Sequence, residues 1–343
     1  MLVSQEQVSL LKFKAENSDK ADISLAPSEN IIDDAQNKIN EFQNRTNQLP
    51  QSISIEGAGF WEIAQPAPQG RLAGKIAIVT GGAQGFGGGI VDYLMQEGAN
   101  VVIADLNEEK GKEKAAEVNA LYSENEAIFI ATNVSDSTSV EQLVAETVKQ
   151  LGGLDLFISN AGILRAGGLD EMTPETFELM TKVNYSGYFL CAKHASAVMK
   201  VQNSYRPNHY TDIIQINSKS GLKGSNKNFT YAGGKFGGIG LTQSFALELM
   251  PHRIKVNSIC PGNFFDGPLW ADPENGLFVQ YLKAGKVPGA KTIDDVKAYY
   301  EGQVPAGRGC TPLDVMRAIY YVVEQEYETG QAIPVTGGQE MLK

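Results

Sequence analysis

The chain of 343 residues is 42% hydrophobic and 20% charged, the ordinary balance of a protein that folds around a buried core. Its formal net charge of −11 excludes non-specific binding along a phosphate backbone, which needs basic patches, and leaves room only for a local basic pocket. Cys191, Cys260 and Cys310 lack the spacing of a disulfide framework or zinc site, and His194, His209 and His252 form no paired motif. The cysteines read as small apolar residues of a reducing compartment, and the histidines as incidental; no metal is expected.

In chain order, residues 1–71 come first, rich in Asn, Gln, Glu and Ser. No basic flank leads into an apolar run, and no stretch approaches the roughly 20 apolar residues of a membrane span. The expectation is a cytoplasmic protein without a signal peptide. Ser28 is placed to cap a helix over residues 29–48, with Ile32, Ala35, Ile39 and Phe42 on one face. Residues 57–63, which include Phe60 and Trp61, form an apolar patch that needs a cover, either the main domain or a neighbouring subunit. Residues 65–70 read as an extended linker, so the domains are 1–71, an extension of unknown role, and 72–343.

From Leu72 the rhythm changes. Runs rich in Val and Ile occur at 75–80, 100–105, 127–132, 154–159, 211–217, 254–260 and 331–335, separated by stretches of helical periodicity. Continuous apolar strands alternating with helices predict an α/β fold: a doubly wound, Rossmann-like parallel sheet of seven strands behind an N-terminal extension.

The first strand runs into Gly81, Gln84, Gly85, Phe86 and Gly87 before the first helix. Glycines between a first strand and a first helix let the backbone approach a pyrophosphate, and the helix N-terminus supplies free N–H groups. Asp105 ends the second strand about 20 residues on, where a carboxylate accepts from adenosine ribose hydroxyls and repels a 2′-phosphate. No Lys or Arg stands within 81–87 or at Leu106 or Asn107, so NAD is the expected cofactor. Tyr231 and Lys235, four apart on a predicted helix, share a face. An ammonium there favours the phenolate and suits Tyr231 to acid–base work. Ser218 lies upstream at the end of the fifth strand, where doubly wound folds place their chemistry.

These motifs, with Asn160-Ala161-Gly162 after the fourth strand, Asn184, and Pro261-Gly262 after the sixth, resemble the short-chain dehydrogenases/reductases from Leu72 onward. The resemblance implies that Tyr231 transfers a proton and Ser218 holds the reacting oxygen. It implies that Lys235 binds the nicotinamide ribose and lowers the Tyr231 pKa, while Asn184 supports a water chain. Asn160, Ala161 and Gly162 would pack near the adenine and brace the sheet, with Asn133 and Val134 beside them and Pro261 and Gly262 near the nicotinamide. A homodimer or homotetramer built on the helices of Asn184 and Tyr231 is also implied. Two positions depart from the pattern. Asn133 replaces a common Asp, but its amide oxygen is expected to accept from the adenine amino group. Asp266 replaces a common Thr near the carboxamide.

Residues 212–221, 223–227, 304–310 and 335–339 are similar to family members that act on hexitol phosphates. That similarity implies NAD-dependent interconversion of sorbitol 6-phosphate and fructose 6-phosphate. The phosphate then needs an anchor: Lys219 first, beside Ser218, then Lys223, Lys227, Arg165 and Arg308. The alternatives are a dehydrogenase of an unphosphorylated polyol or sugar, and a non-catalytic NAD-binding regulator. Such a regulator would be expected to lose the Tyr or Lys that this chain keeps.

Overall fold

The computed structural model describes residues 11–14, 21–63, 69–283 and 285–341. Most of the linker predicted at 65–70 lies outside them. The extension holds β1 (Leu11–Lys14), β2 (Ile23–Leu25), α1 (Ile31–Thr46), β3 (Ser52–Ile55) and β4 (Gly59–Ile63). Its strands form a four-stranded sheet in the order β1-β4-β3-β2, which the sequence reading did not foresee. Gly57, at φ +75°, makes the tight turn of the β3–β4 hairpin. Ala35 and Ile39 of α1 bury against Ile23, Leu25 and Ile53, with Ile31 and Phe42 at the margin. The predicted Ser28 cap is not formed. Asn30 holds the N-cap position without a side-chain bond, and the Ser28 hydroxyl instead donates to the Asp34 carboxylate at 2.5 Å.

The remaining elements alternate as predicted. They are β5 (Ile76–Thr80), α2 (Gly85–Gln96), β6 (Asn100–Asp105), α3 (Glu108–Leu121), β7 (Ala127–Ala131), α4 (Ser137–Leu151) and β8 (Leu156–Ser159). Then come α5 (Pro174–Thr181), α6 (Gly187–Ser204), β9 (Thr211–Ile216), α7 (Phe229–Leu249) and β10 (Ile254–Pro261). The chain closes with α8 (Pro268–Ala271), α9 (Leu277–Lys283), α10 (Ile293–Gly302), α11 (Pro312–Glu324) and β11 (Ala332–Val335). The seven strands are parallel and ordered β11-β10-β9-β8-β5-β6-β7.

Every residue of β5, β8, β9 and β10 is buried, because helices cover both faces of the sheet. Ile90 and Leu94 of α2 and Ile319 of α11 line one face, and Leu143, Tyr188 and Met199 of α4 and α6 line the other. The strand order reverses between β5 and β8. A crevice opens there beyond the strand C-terminal ends, because the following helices leave to opposite faces.

The extension lies against α4, where the Trp61 indole N–H donates to the Lys149 carbonyl at 2.9 Å. Helices α8 to α10 form an insert with its own small core around Phe265, Trp270, Phe278 and Val296. At the opposite end of the sheet from the crevice, His209 meets Asp155 at 2.7 Å, so it is not incidental as expected. Asp155 also accepts from the Ile76 backbone N–H and the Gln202 amide. Lys255 and Asp212, register partners on β10 and β9, form a fully buried ion pair at 3.0 Å. Among the described residues, no helix is long and apolar enough to cross a membrane.

Candidate active site

The turn after β5 has the shape its glycines predict. Gly81 and Gly85 take φ of +64° and +63°, conformations that side chains disfavour. A Cβ on Gly87 would overlap the Gly81 carbonyl and come within 2.6 Å of the Asn160 amide. Gln84, at the N-cap of α2, makes no side-chain cap bond, so first-turn N–H groups stay available for an anion. The Asp105 carboxylate accepts from the Ala83 N–H at 3.2 Å and the Asn107 N–H at 2.9 Å, which fixes it at the rim of the crevice. Lys110, absent from the sequence reading, lines the same rim and donates to the Gln84 side chain at 2.8 Å. Phe86 stacks near Phe264, with ring centroids 4.9 Å apart.

The strand-end residues brace one another. Asn160 donates through its amide to the Thr80 and Gly81 carbonyls at 2.9 and 3.1 Å, tying β8 to the glycine turn. Ala161 and Gly162 line the crevice, as does the buried Val134. The Gly262 N–H, just past Pro261, donates to the Val335 carbonyl at 2.9 Å. Asn133 lines the same cleft, and its amide oxygen accepts from both the N–H and the hydroxyl of Ser135 in a turn that leads into α4. Asp266 lies apart, exposed and paired with Lys297 at 3.2 Å.

Asn184 sits in a π-helical turn, Lys182–Ser186, between α5 and α6. Such turns insert one residue and re-aim a side chain. Its amide holds the backbone of Ile163 from both sides, at 2.9 and 2.8 Å. These contacts brace the loop after β8.

Ser218 follows the end of β9, and its hydroxyl accepts from the Ser220 N–H at 3.1 Å. Tyr231 and Lys235 lie one turn apart on α7, and the Lys235 ammonium stands 5.5 Å from the Tyr231 ring centroid. All three line a cleft of about 720 Å³. Lys235 is buried and donates to the Ile216 carbonyl at 2.8 Å. Burial pushes its pKa down to about 8. Burial also pushes the Tyr231 phenol up to about 12, against an opposing pull from the Ser218 hydroxyl. Desolvation is thus the largest influence on the Tyr231 phenol in this structure. Asn217, within the 212–221 segment and without an expected role, joins these parts. Its oxygen accepts from the Ser218 N–H at 2.8 Å, and its amide donates to the Lys235 carbonyl at 2.9 Å. A buried polar residue at a strand C-terminal end was the available signal.

The candidate phosphate anchors separate into two groups. Lys219 and Arg165 line the cleft. Lys223, Lys227 and Arg308 do not, because each is held elsewhere by a carboxylate. Lys223 pairs with Glu340 at 3.4 Å and Lys227 with Glu171 at 2.9 Å. Arg308 pairs with Asp314 at 2.6 Å beside a separate cavity of about 450 Å³. A cation missed from sequence, Lys286, lines the main cleft from the insert.

The family model described as short chain dehydrogenase matches residues 75–271. A relative in Escherichia coli K12, sorbitol-6-phosphate 2-dehydrogenase, is 37% identical over 271 residues, covering 78% of this chain and 99% of its own. Trans-4-hydroxycyclohexanecarboxylate dehydrogenase of Sinomonas cyclohexanicum is 30% identical over 275 residues, covering 78% and 94%. The crystal structure of sorbitol-6-phosphate 2-dehydrogenase from Erwinia amylovora superposes with a TM-score of 0.71 at 36% identity, covering 78% of this chain and all of that one.

Proposed function

Because this chain belongs to the short-chain dehydrogenase family, whose members are oxidoreductases that use nicotinamide cofactors, we propose that it interconverts sorbitol 6-phosphate and fructose 6-phosphate with NAD. The observation that carries this reading is the grouping of Ser218, Tyr231 and Lys235 in one cleft that also presents the Lys219 ammonium. The relative named for that substrate, at 37% identity over nearly its whole length, supports the choice.

The glycine turn, the open N-terminus of α2 and the fixed Asp105 carboxylate fit a dinucleotide. When bound, the nicotinamide supplies the hydride acceptor or donor. The chain's own residues handle the proton and the geometry. Ser218 Oγ holds the C2 oxygen of the alcohol or ketone, and Tyr231 Oη takes the proton on oxidation and returns it on reduction. Lys235 Nζ holds a positive charge beside the phenol and favours its ionised form. Asn217 keeps Ser218 and the helix of Lys235 in register. Asp105 favours NAD by accepting from ribose hydroxyls.

Assembly is proposed through α6 and α7, where Phe189, Phe236 and Leu247 are 44%, 47% and 82% exposed. The test is a panel of polyols and polyol phosphates assayed with NAD and NADP. We expect kcat/KM to be highest for sorbitol 6-phosphate with NAD. Equal rates on sorbitol and its 6-phosphate would refute the substrate, and leave an unphosphorylated polyol as the better reading.

A further inference from the structure

The insert between β10 and α11 presents a cation whose position is built from below. Lys286 follows α9, and its backbone N–H donates to the Tyr281 carbonyl at 3.0 Å. Its ammonium lies 3.9 Å from the centroid of the Tyr281 ring, within cation–π range. That ring is buried and meets Trp270 edge-on at 5.7 Å and Tyr300 at 5.5 Å. The seat of Lys286 is thus part of the insert's aromatic core, and Lys286 and Tyr281 both line the cleft.

Lys219 faces the same space from the turn after Ser218. The pKa of Lys286 is lowered by burial and by the positive charge of Lys227. The pKa of Lys219 falls to about 8 mainly by burial, with Lys286 among the like charges that lower it further and Glu340 opposing. Neither ammonium forms an ion pair among the described residues, while the nearby Lys223 and Lys227 each do. Two half-buried cations within electrostatic reach, neither held in an ion pair, repel each other, and a dianion bound by both would relieve that repulsion.

Resting on the phosphorylated-polyol reading above, we propose that Lys286 and Lys219 form a two-sided clamp for the substrate phosphate. Lys219 is fixed to the catalytic turn, and Lys286 is delivered by the insert on its Tyr281 seat. The insert therefore sets the preference for a phosphorylated substrate, and Tyr281 is a positioning residue for Lys286.

The experiment compares Lys286→Met, Lys286→Arg and Tyr281→Leu with the wild type, using sorbitol 6-phosphate, sorbitol, and inorganic phosphate as a competitive inhibitor. Loss of one charge-assisted bond in Lys286→Met should shrink the preference for the phosphorylated substrate by about 10- to 150-fold. The loss should fall mainly on KM, and inhibition by inorganic phosphate should weaken in parallel. Lys286→Arg should restore most of both, and Tyr281→Leu should show a smaller loss of the same kind. Lys286→Gln carries the same test if the Met variant does not fold. A wild type that requires the 6-phosphate, with a Lys286→Met variant that keeps the full preference, overturns the clamp alone. A wild type indifferent to the phosphate overturns the substrate reading, and the clamp with it.

Discussion

Tyr231 and Lys235 share one burial, and it acts on them in opposite directions. The phenol is raised to about 12 and the ammonium lowered to about 8, both toward neutrality. Oxidation needs the phenolate, so its rate should climb as pH rises from about 7 to about 9. Reduction needs the phenol, which stays protonated across that range, and should remain level. Tyr231→Phe should lose roughly 10²–10⁴-fold in turnover and lose the alkaline climb. Near-normal kcat in that variant, or a flat oxidation profile in the wild type, would count against the assigned role. Asp105 is the proposed determinant of cofactor choice at the other end of the cleft. Asp105→Ser removes the repulsion of a 2′-phosphate and leaves Lys110 on the same rim to attract one. The ratio of kcat/KM with NADP to that with NAD should rise by about tenfold or more, one lost charge interaction's worth. An unchanged ratio would remove Asp105 from the selectivity argument. Residue types and spacing made the Ser218, Tyr231 and Lys235 group readable in advance. Lys227 and Arg308 could not be dismissed that way, because their carboxylate partners, Glu171 and Asp314, are brought to them by loops.

At the scale of elements, the strands of the main sheet were readable because burial on both faces demands unbroken apolar runs such as Ile76–Thr80. The small sheet of the extension was not, since its strands are three to five residues long and only partly buried. Its hairpin nonetheless brings Trp61 to α4 and buries Phe60 to 4% exposure. We infer that the described residues of the extension act as a stabilising cover on α4, separate from the chemistry proposed for 72–343. A chain beginning at Gly70 should melt at a lower temperature and keep kcat within about twofold, because surface packing contributes stability without touching the cleft. Equal melting temperatures for the two chains would make the extension a dispensable appendage. The π-helical turn that carries Asn184 is another element that sequence did not reveal. Lys182–Ser186 has no distinctive composition, and the extra residue is accommodated by the packing of α5 and α6 around it.

Across the whole molecule, charge is divided between the two ends of the sheet. The C-terminal end holds the cleft, and the N-terminal end holds the buried pairs of Asp155 with His209 and Asp212 with Lys255. Burial alone would raise the Asp155 pKa, but the His209 hydrogen bond, the charge of Lys75 and the Ile76 N–H together hold it at about 2. An unfolded Asp titrates near 3.9, so the folded state gains stability from Asp155 that is complete above about pH 4 and lost as pH falls toward about 2. Asp155→Asn should lower stability at neutral pH and flatten this acid limb in denaturant melts. An unaltered limb would exclude Asp155 as its source. Asp212 has the opposite sign. Burial raises it to about 6, so its ionised form is a cost above that pH, reduced by the paired Lys255. The sequence by itself determined the doubly wound sheet, the glycine turn after β5 and the placing of Tyr231 and Lys235 on one helix, because each depends on local periodicity or on short spacing along one element. Only the tertiary structure decided which cations reach the cleft, that His209 is bound to Asp155, and that Lys286 lines the same cleft as Lys219. Those outcomes depend on residues 54 and 67 positions apart in the chain meeting in space, a distance that no local pattern encodes.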